Sequence, residues 1–268
     1  MDKKKRTRFI IIILILLTLT FISTILSGGG AEEEPINEVM QDAVLHSYGK
    51  VSLFGLIPVN PALISAYTVT GIIFVFALIV RIFVIPRFSE IPGRFQLVLE
   101  QAVGIFDNLA TSNSPHRHKF LGAYVFTAGV YIFIGTLFEL LGVIVPTISG
   151  GSITLPAPLA DINGAISMGV LSYCVILSGG IAGNGFKGVL NTLKDLSLPI
   201  SMSFRLFGAL LSGALVTELV YYYNTTSYVI PIFVAVMFTI LHALIQAYVL
   251  TMLTALFYGE VSEPSSDE

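Results

Sequence analysis

The sequence predicts an all-α integral membrane protein with five to six membrane helices and one amphipathic helix on the cytoplasmic side. Three observations carry that expectation. Charged residues make up 12% of the 268 residues and hydrophobic ones 54%, with a mean hydropathy of +0.85. Soluble domains carry about 25% charged residues, so most of this surface is not built to face water. Long apolar runs recur along the chain, several reaching the ~20 residues that a spanning helix needs. Lysine and arginine also collect in alternate loops, as a chain that crosses a bilayer repeatedly should show.

The first run covers residues 9–26, after Lys3, Lys4, Lys5, Arg6 and Arg8 and before the small-residue stretch 27–31. That order fits either a retained first helix or a secretory signal, although a signal core usually has only ~7–15 apolar residues. Either way, residues 32–60 lie outside the cytoplasm. Glu32, Glu33, Glu34, Glu38 and Asp42 make that segment acidic. The next runs are expected at 62–85, 120–145 and 162–186, followed by long segments at 196–223 and 228–258. Arg81, Arg87 and Arg94 follow the second run, Arg117 and Lys119 precede the third, and Lys187 and Lys194 close the fourth. These basic loops belong in the cytoplasm. Residues 260–268 form an acidic tail. The chain thus divides into 1–31, the acidic segment 32–60, a membrane domain 61–259 and the tail.

Residues 90–109 read differently. Phe95, Leu99, Ala102, Phe106 and Leu109 recur at helical spacing, while Arg94, Gln96, Glu100 and Asp107 keep the segment from being a span. An amphipathic helix in the interface and an ordinary solvated connector both fit.

Some function classes are excluded early. The glycine pairs Gly150-Gly151 and Gly179-Gly180 lack the strand-then-helix setting of a phosphate loop. The single cysteine, Cys174, has no metal-ligand spacing and no disulfide partner, and is expected to be a buried small residue. No cofactor or metal is implied, and no nucleic acid.

One residue stands out. Arg205 lies in the apolar fifth segment between Ser203-Phe204 and Leu206-Phe207, with no counter-ion adjacent. Arginine at the bilayer centre costs about 2.5–3.5 kcal/mol on insertion scales, and its guanidinium cannot shed its charge. It must meet a polar cavity, a carboxylate or a partner, or else snorkel to the interface. Gly208, Ala209, Ser212, Gly213 and Val216 follow as a small-residue stripe that would let another helix approach closely. Thr239, His242 and Gln246 form a second polar stripe on one face of the sixth segment. Glu139 and Asp161 fall toward the non-cytoplasmic side, and Glu218 falls late in the fifth segment. Asp161 reads equally as a helix N-cap, with Asn163 two residues on. Carboxylates flanking a deeper arginine outline a proton path.

The stretch 199–208, Pro-Ile-Ser-Met-Ser-Phe-Arg-Leu-Phe-Gly, resembles the signature segment of the a subunit of F-type ATP synthases. Ile91-Pro92-Gly93-Arg94-Phe95-Gln96 with Glu100, Ala160-Asp161-Ile162-Asn163 with Ser167-Met168, and Gln246-Ala247-Tyr248 with Leu253-Thr254 resemble three further family segments, in the same order. The resemblance runs from about residue 60 to 260. It implies a non-catalytic stator subunit of the F0 sector, with the last two helices forming a long tilted hairpin against a ring of c subunits. It implies b subunits and lipid as further partners, in a bacterial inner membrane. Two offset half-channels would carry protons to and from the c-ring carboxylate, with Arg205 between them. Ion-translocating roles would fall to Arg205, Gln246, His242, Glu218, Glu139, Asp161 and Asn163, and ring packing to Gly208, Ala209, Ser212 and Gly213.

The chain departs from the family at three polar positions. Ala209 stands where the family usually has Asn, Ala214 where it has Glu or His, and Thr239 where it has His or Glu. Glu218 and His242, each about one turn away, are expected to be relocated half-channel groups. Sodium as coupling ion remains an alternative. So does a secondary transporter binding an anion at Arg205, which would require a discontinuous helix there.

Overall fold

The structure is a computed structural model that describes residues 51–53, 57–146, 152–222 and 230–263, together with Ile11, Ile15, Thr18, Leu19 and Ile22. The remainder of the expected first segment and acidic segment, and the end of the tail, lie outside the described residues.

Among the described residues, six long helices carry the fold: α1 (Pro61–Ile79), α2 (Arg94–Asn113), α3 (His118–Phe138), α4 (Ile162–Lys194), α5 (Ser197–Tyr222) and α6 (Ile230–Ser262). Two short antiparallel hairpins accompany them. β1 (Val51–Leu53) pairs with β2 (Ile57–Val59) just before α1, and β3 (Ile144–Pro146) with β4 (Ser152–Thr154) between α3 and α4. The architecture is the expected all-helical membrane fold. Among the described residues, four stretches are long and apolar enough to cross a bilayer: Pro61–Arg87, His118–Leu141, Ile162–Lys194 and Val236–Ser262.

The helices begin where the sequence supplies caps. Asn60 precedes Pro61, and its side chain accepts from the Ala62 amide at 3.0 Å. Proline suits a first helical turn because its missing N–H would be unpaired there anyway. α1 then continues past Ile79 through a π-turn (Val80–Val84) and a 3-10 turn (Ile85–Arg87). Gln96 closes the link to α2 by bonding both backbone groups of Ser89 and the Glu100 carboxylate.

The core lies where α3, α4 and α6 meet. Leu121, Val125, Ala128 and Ile132 of α3 are buried there with Ala165 and Ile176 of α4 and Leu250 and Ala255 of α6. α5 packs on α4 and α6, while α1 leans mainly on α3. α2 is no solvated connector. Phe106 fills the notch at Gly129, and Ala110 meets Gly122, so the helix lies lengthwise on α3. Its half-buried side carries Leu99, Ala102, Phe106 and Leu109 of the face expected from helical spacing, whereas Phe95, at the start of the helix, is exposed.

Two expectations need correction. The fourth segment does not simply run out at Phe186. Gly185 has φ 57° and ψ −134°, a conformation open to glycine alone, and the chain folds back there. Residues 186–194 return as a short helix whose Gly188 lies against Gly180, backbone to backbone. The Tyr173 hydroxyl donates to the Thr192 carbonyl at 3.0 Å and fixes that return. Cys174, expected to be buried, is exposed on α4. In a bilayer an outward position is no penalty, because lipid tails are as apolar as leucine.

α6 has 33 residues, which is about 50 Å of straight helix. The hydrocarbon layer is ~30 Å thick, so a helix of this length tilts or runs beyond it.

Candidate functional site: an open arginine face and a capped cavity

The rotation of α5 is fixed by one tight contact. Ser203 packs directly on Gly169 of α4, and its hydroxyl donates to the Pro199 carbonyl at 2.7 Å. A Cβ on Gly169 would lie 2.9 Å from that same carbonyl, so only glycine lets the two backbones meet this closely. Pro199, Met202, Ser203, Leu206 and Leu210 therefore form the buried side of α5. At about 100° per residue, Arg205 stands roughly 200° from Ser203 and faces away from the bundle. It shares the exposed face with Ser197, Ser201, Gly208 and Ser212. A Cβ on Gly208 would meet nothing within 4 Å. Among the described residues, Arg205 has neither a hydrogen bond nor an ion pair.

The small-residue stripe thus divides. Gly208 and Ser212 lie on the open face with Arg205, whereas Ala209 and Gly213 are half-buried. Gly213 faces α6, where a Cβ would sit 3.5 Å from His242 Nδ1. This contact sets α5 and α6 side by side as an antiparallel pair. His242 is half-buried, with its ring 5.7 Å from that of Phe238. Thr239 is half-buried as well, and Gln246, one turn further on, is only 6% exposed. Gln246 makes no hydrogen bond among the described residues. The backbone of α5 includes Glu218, but its side chain lies outside the described residues.

A second region lies at the opposite end of α4. Asp161 is the N-cap of that helix: Oδ1 accepts from the Asn163 amide at 3.2 Å and from Asn163 Nδ2 at 3.3 Å. Its Oδ2 accepts from Asn60 Nδ2 at 3.0 Å. These residues line a cavity of about 700 Å³ between α1, α3 and α4. Tyr124, Thr127, Tyr131 and Ser167 add hydroxyl-bearing side chains to a largely apolar wall. The lining extends along α4 from Asp161 to Val175, fourteen residues or about 21 Å of helix. It includes Met168, the neighbour of the Gly169 that touches Ser203. The cavity floor therefore reaches the layer where α4 meets α5.

Glu139 does not line this cavity. It sits half-buried in the 3-10 turn (Glu139–Leu141) that ends α3 before Gly142 turns the chain at φ 59°. The structure thus joins Asp161 to Asn163 and leaves Glu139 apart. Sequence reasoning missed Asn60, Tyr124, Thr127 and Ser167. Asn60 carried a readable signal, since Asn before Pro is a helix-start pattern. Nothing in the spacing of the others points to a shared cavity. Among the described residues no group of His, Cys, Asp or Glu is placed to hold a metal.

The profile of the family described as ATP synthase A chain matches residues 63–259. The chain belongs to the ATP synthase A chain family. Among its relatives is the ATP synthase subunit a of Glaesserella parasuis serovar 5 (strain SH0165), 26% identical over 198 residues, which is 62% of this chain and 75% of that protein. The ATP synthase subunit a of Histophilus somni (strain 2336) is 26% identical over 203 residues, 63% and 76% of the two chains. As an ATP synthase A family member, the chain is a multi-pass membrane subunit of the F0 sector. It contributes to ion transport and ATP synthesis without being a catalyst itself, and it assembles with other ATP synthase subunits.

Proposed function

We propose that this subunit carries protons through two offset half-channels to and from a carboxylate on a neighbouring ring of c subunits, with Arg205 separating them. The observation that carries the proposal is the bare guanidinium on the open face of α5, beside Gly208 and Ser212. A permanent cation there favours the ionised form of any carboxylate that passes within ~4–6 Å, lowering its pKa by about 1–3 units. Protonated, neutral carboxyls can turn into lipid, whereas the one beside Arg205 must release its proton. Each proton driven across gains about 2.3 kcal/mol per 100 mV of membrane potential, and ring rotation passes that energy on.

The outer half-channel begins in the cavity at Asp161 and Asn163. Gln246, one turn beyond His242 on the same face of α6, extends the polar route. Glu218 and His242 act as relocated half-channel groups, replacing the polar residues absent at Ala214 and Thr239. Glu139 serves near the outer surface. The remaining partners are b subunits and lipid, and the location is a bacterial inner membrane. α5 is helical without a break through Arg205, which weighs against a transporter site built on a discontinuous helix.

The test uses the complete ATP synthase in liposomes. Arg205→Ala leaves a buried carboxylate of the ring without its cation, a loss of about 3–5 kcal/mol. Proton-driven ATP synthesis should fall by two to three orders of magnitude while the complex still assembles. Synthesis near the wild-type rate would overturn the reading. Replacing Glu218 or His242 with alanine should reduce proton conduction, and unchanged ATP-driven pumping in both variants would remove them from the path.

A further inference from the structure

We infer that Asn60 is a positioning residue for the outer half-channel, latching the start of α1 to the carboxylate that caps α4 and so fixing the mouth of the cavity. The inference rests on the outer half-channel proposed above.

The geometry is specific to a carboxamide. Asn60 Oδ1 accepts from the Ala62 amide at 3.0 Å, which caps α1. Its Nδ2 donates to Asp161 Oδ2, also at 3.0 Å. Asp161 in turn caps α4 through the Asn163 amide. Two helix starts separated by 101 residues in sequence are thereby joined cap to cap, at the rim of the cavity between α1, α3 and α4. An aspartate at position 60 would cap α1 as well as asparagine does, but in its ionised form it could not donate.

Apart from this bond, α1 is held by a small cluster in which Val69 packs with Phe138 and Leu155, with Ile64 and Ile73 beside them. Pro61, Ala62, Ser65 and Val69 are its buried residues, all in the first half of the helix. Beyond them Phe74, Phe76, Ile82 and Phe83 are exposed. The wall that α1 contributes to the cavity, Ala62, Leu63 and Ala66, is its first turns. The Asn60–Asp161 bond lies at the end of α1 where that wall forms. Removing the donor therefore loosens the cavity wall and the carboxylate together, while the arginine face on α5 is untouched.

The experiment uses the complete ATP synthase assembled in vesicles, with passive proton flux measured after the soluble sector is stripped away. Asn60→Asp keeps the cap of α1, removes the donor and sets two carboxylates against each other. Flux should fall about tenfold or more, the scale expected of a misplaced group. The double variant Asn60→Asp with Asp161→Asn restores one donor and one acceptor in reversed order and preserves both caps. The thermal stability of the complex, lowered in the single variant, should recover in the double; flux is not the readout there, because Asp161 itself belongs to the proposed half-channel. Wild-type flux in the single variant, or no recovery of stability in the double, overturns the inference. Should the single variant fail to assemble, recovery of assembly in the double supports the latch, and failure of the double to assemble overturns it. Arg205→Ala in vesicles that keep the soluble sector separates the two claims. If it retains ATP synthesis, the half-channel reading falls; if it loses synthesis while Asn60→Asp conducts normally, only the latch falls.

Discussion

Two charged side chains in this chain are treated in opposite ways. Asp161 is wrapped at one end of α4: amide and carboxamide donors from Asn163 and Asn60 satisfy it, and it caps a helix in return. Arg205, on α5, receives nothing from the described residues and stands on an open face. Burying a charge is tolerated when it is paired and hydrogen-bonded, and is costly when it is not. The chain solves the problem internally for the carboxylate, and under the proposed function the ring solves it for the guanidinium. On that proposal the asymmetry separates a site complete within one subunit from one completed only in the assembly.

The contrast can be broken from the Arg205 side first. Arg205→Lys keeps the charge but loses the planar fork. The complex should assemble, and synthesis should still drop by about one to two orders of magnitude. A static structural arginine would tolerate the change.

The two glycines near Arg205 sharpen the comparison. The Cβ added by Gly208→Leu meets nothing within 4 Å on this exposed face, so the amount of membrane-inserted subunit should be unchanged while synthesis falls at least tenfold through a clash with the ring. Gly169→Ala should do the reverse. Its Cβ would press on Ser203 and the Pro199 carbonyl, and such overpacking costs about 1–3 kcal/mol. Subunit abundance, measured by immunoblot of membranes, should fall before function per complex does. Asp161→Ala loses a helix cap worth about 1 kcal/mol, a modest stability effect accompanied by reduced flux. Cys174→Ser, on an exposed face, should change neither quantity.

Much of the fold was legible because membrane helices announce themselves by length and by the charge of their loops. The face of α2 was readable from Leu99, Phe106 and Leu109, since helical period alone decides it. The return at Gly185 was not, because 186–194 continues the helical composition and only a positive φ at one glycine betrays the reversal. At the site, Arg205 was evident because a fixed charge in an apolar run has few explanations. The split of the stripe into Gly208 and Ser212 against Ala209 and Gly213 was not evident. Spacing places all four on one broad face, and it is the close contact of Gly169 with Ser203, from another helix, that sets the rotation. Asn60 carried a local cap signal, but its tie to Asp161 is a long-range contact that no local pattern encodes.

The central claim is that the open face of α5 around Arg205 meets the carboxylate-bearing helix of the ring. Disulfide formation in the assembled complex, in a Cys174→Ser background, tests it directly. Cysteines at Ser201 and Ser212 should each form a bond with a cysteine placed beside the ring carboxylate, and one at Met202, on the buried side of the same helix, should not. Equal cross-linking from Met202, or none from Ser201 and Ser212, would contradict the account.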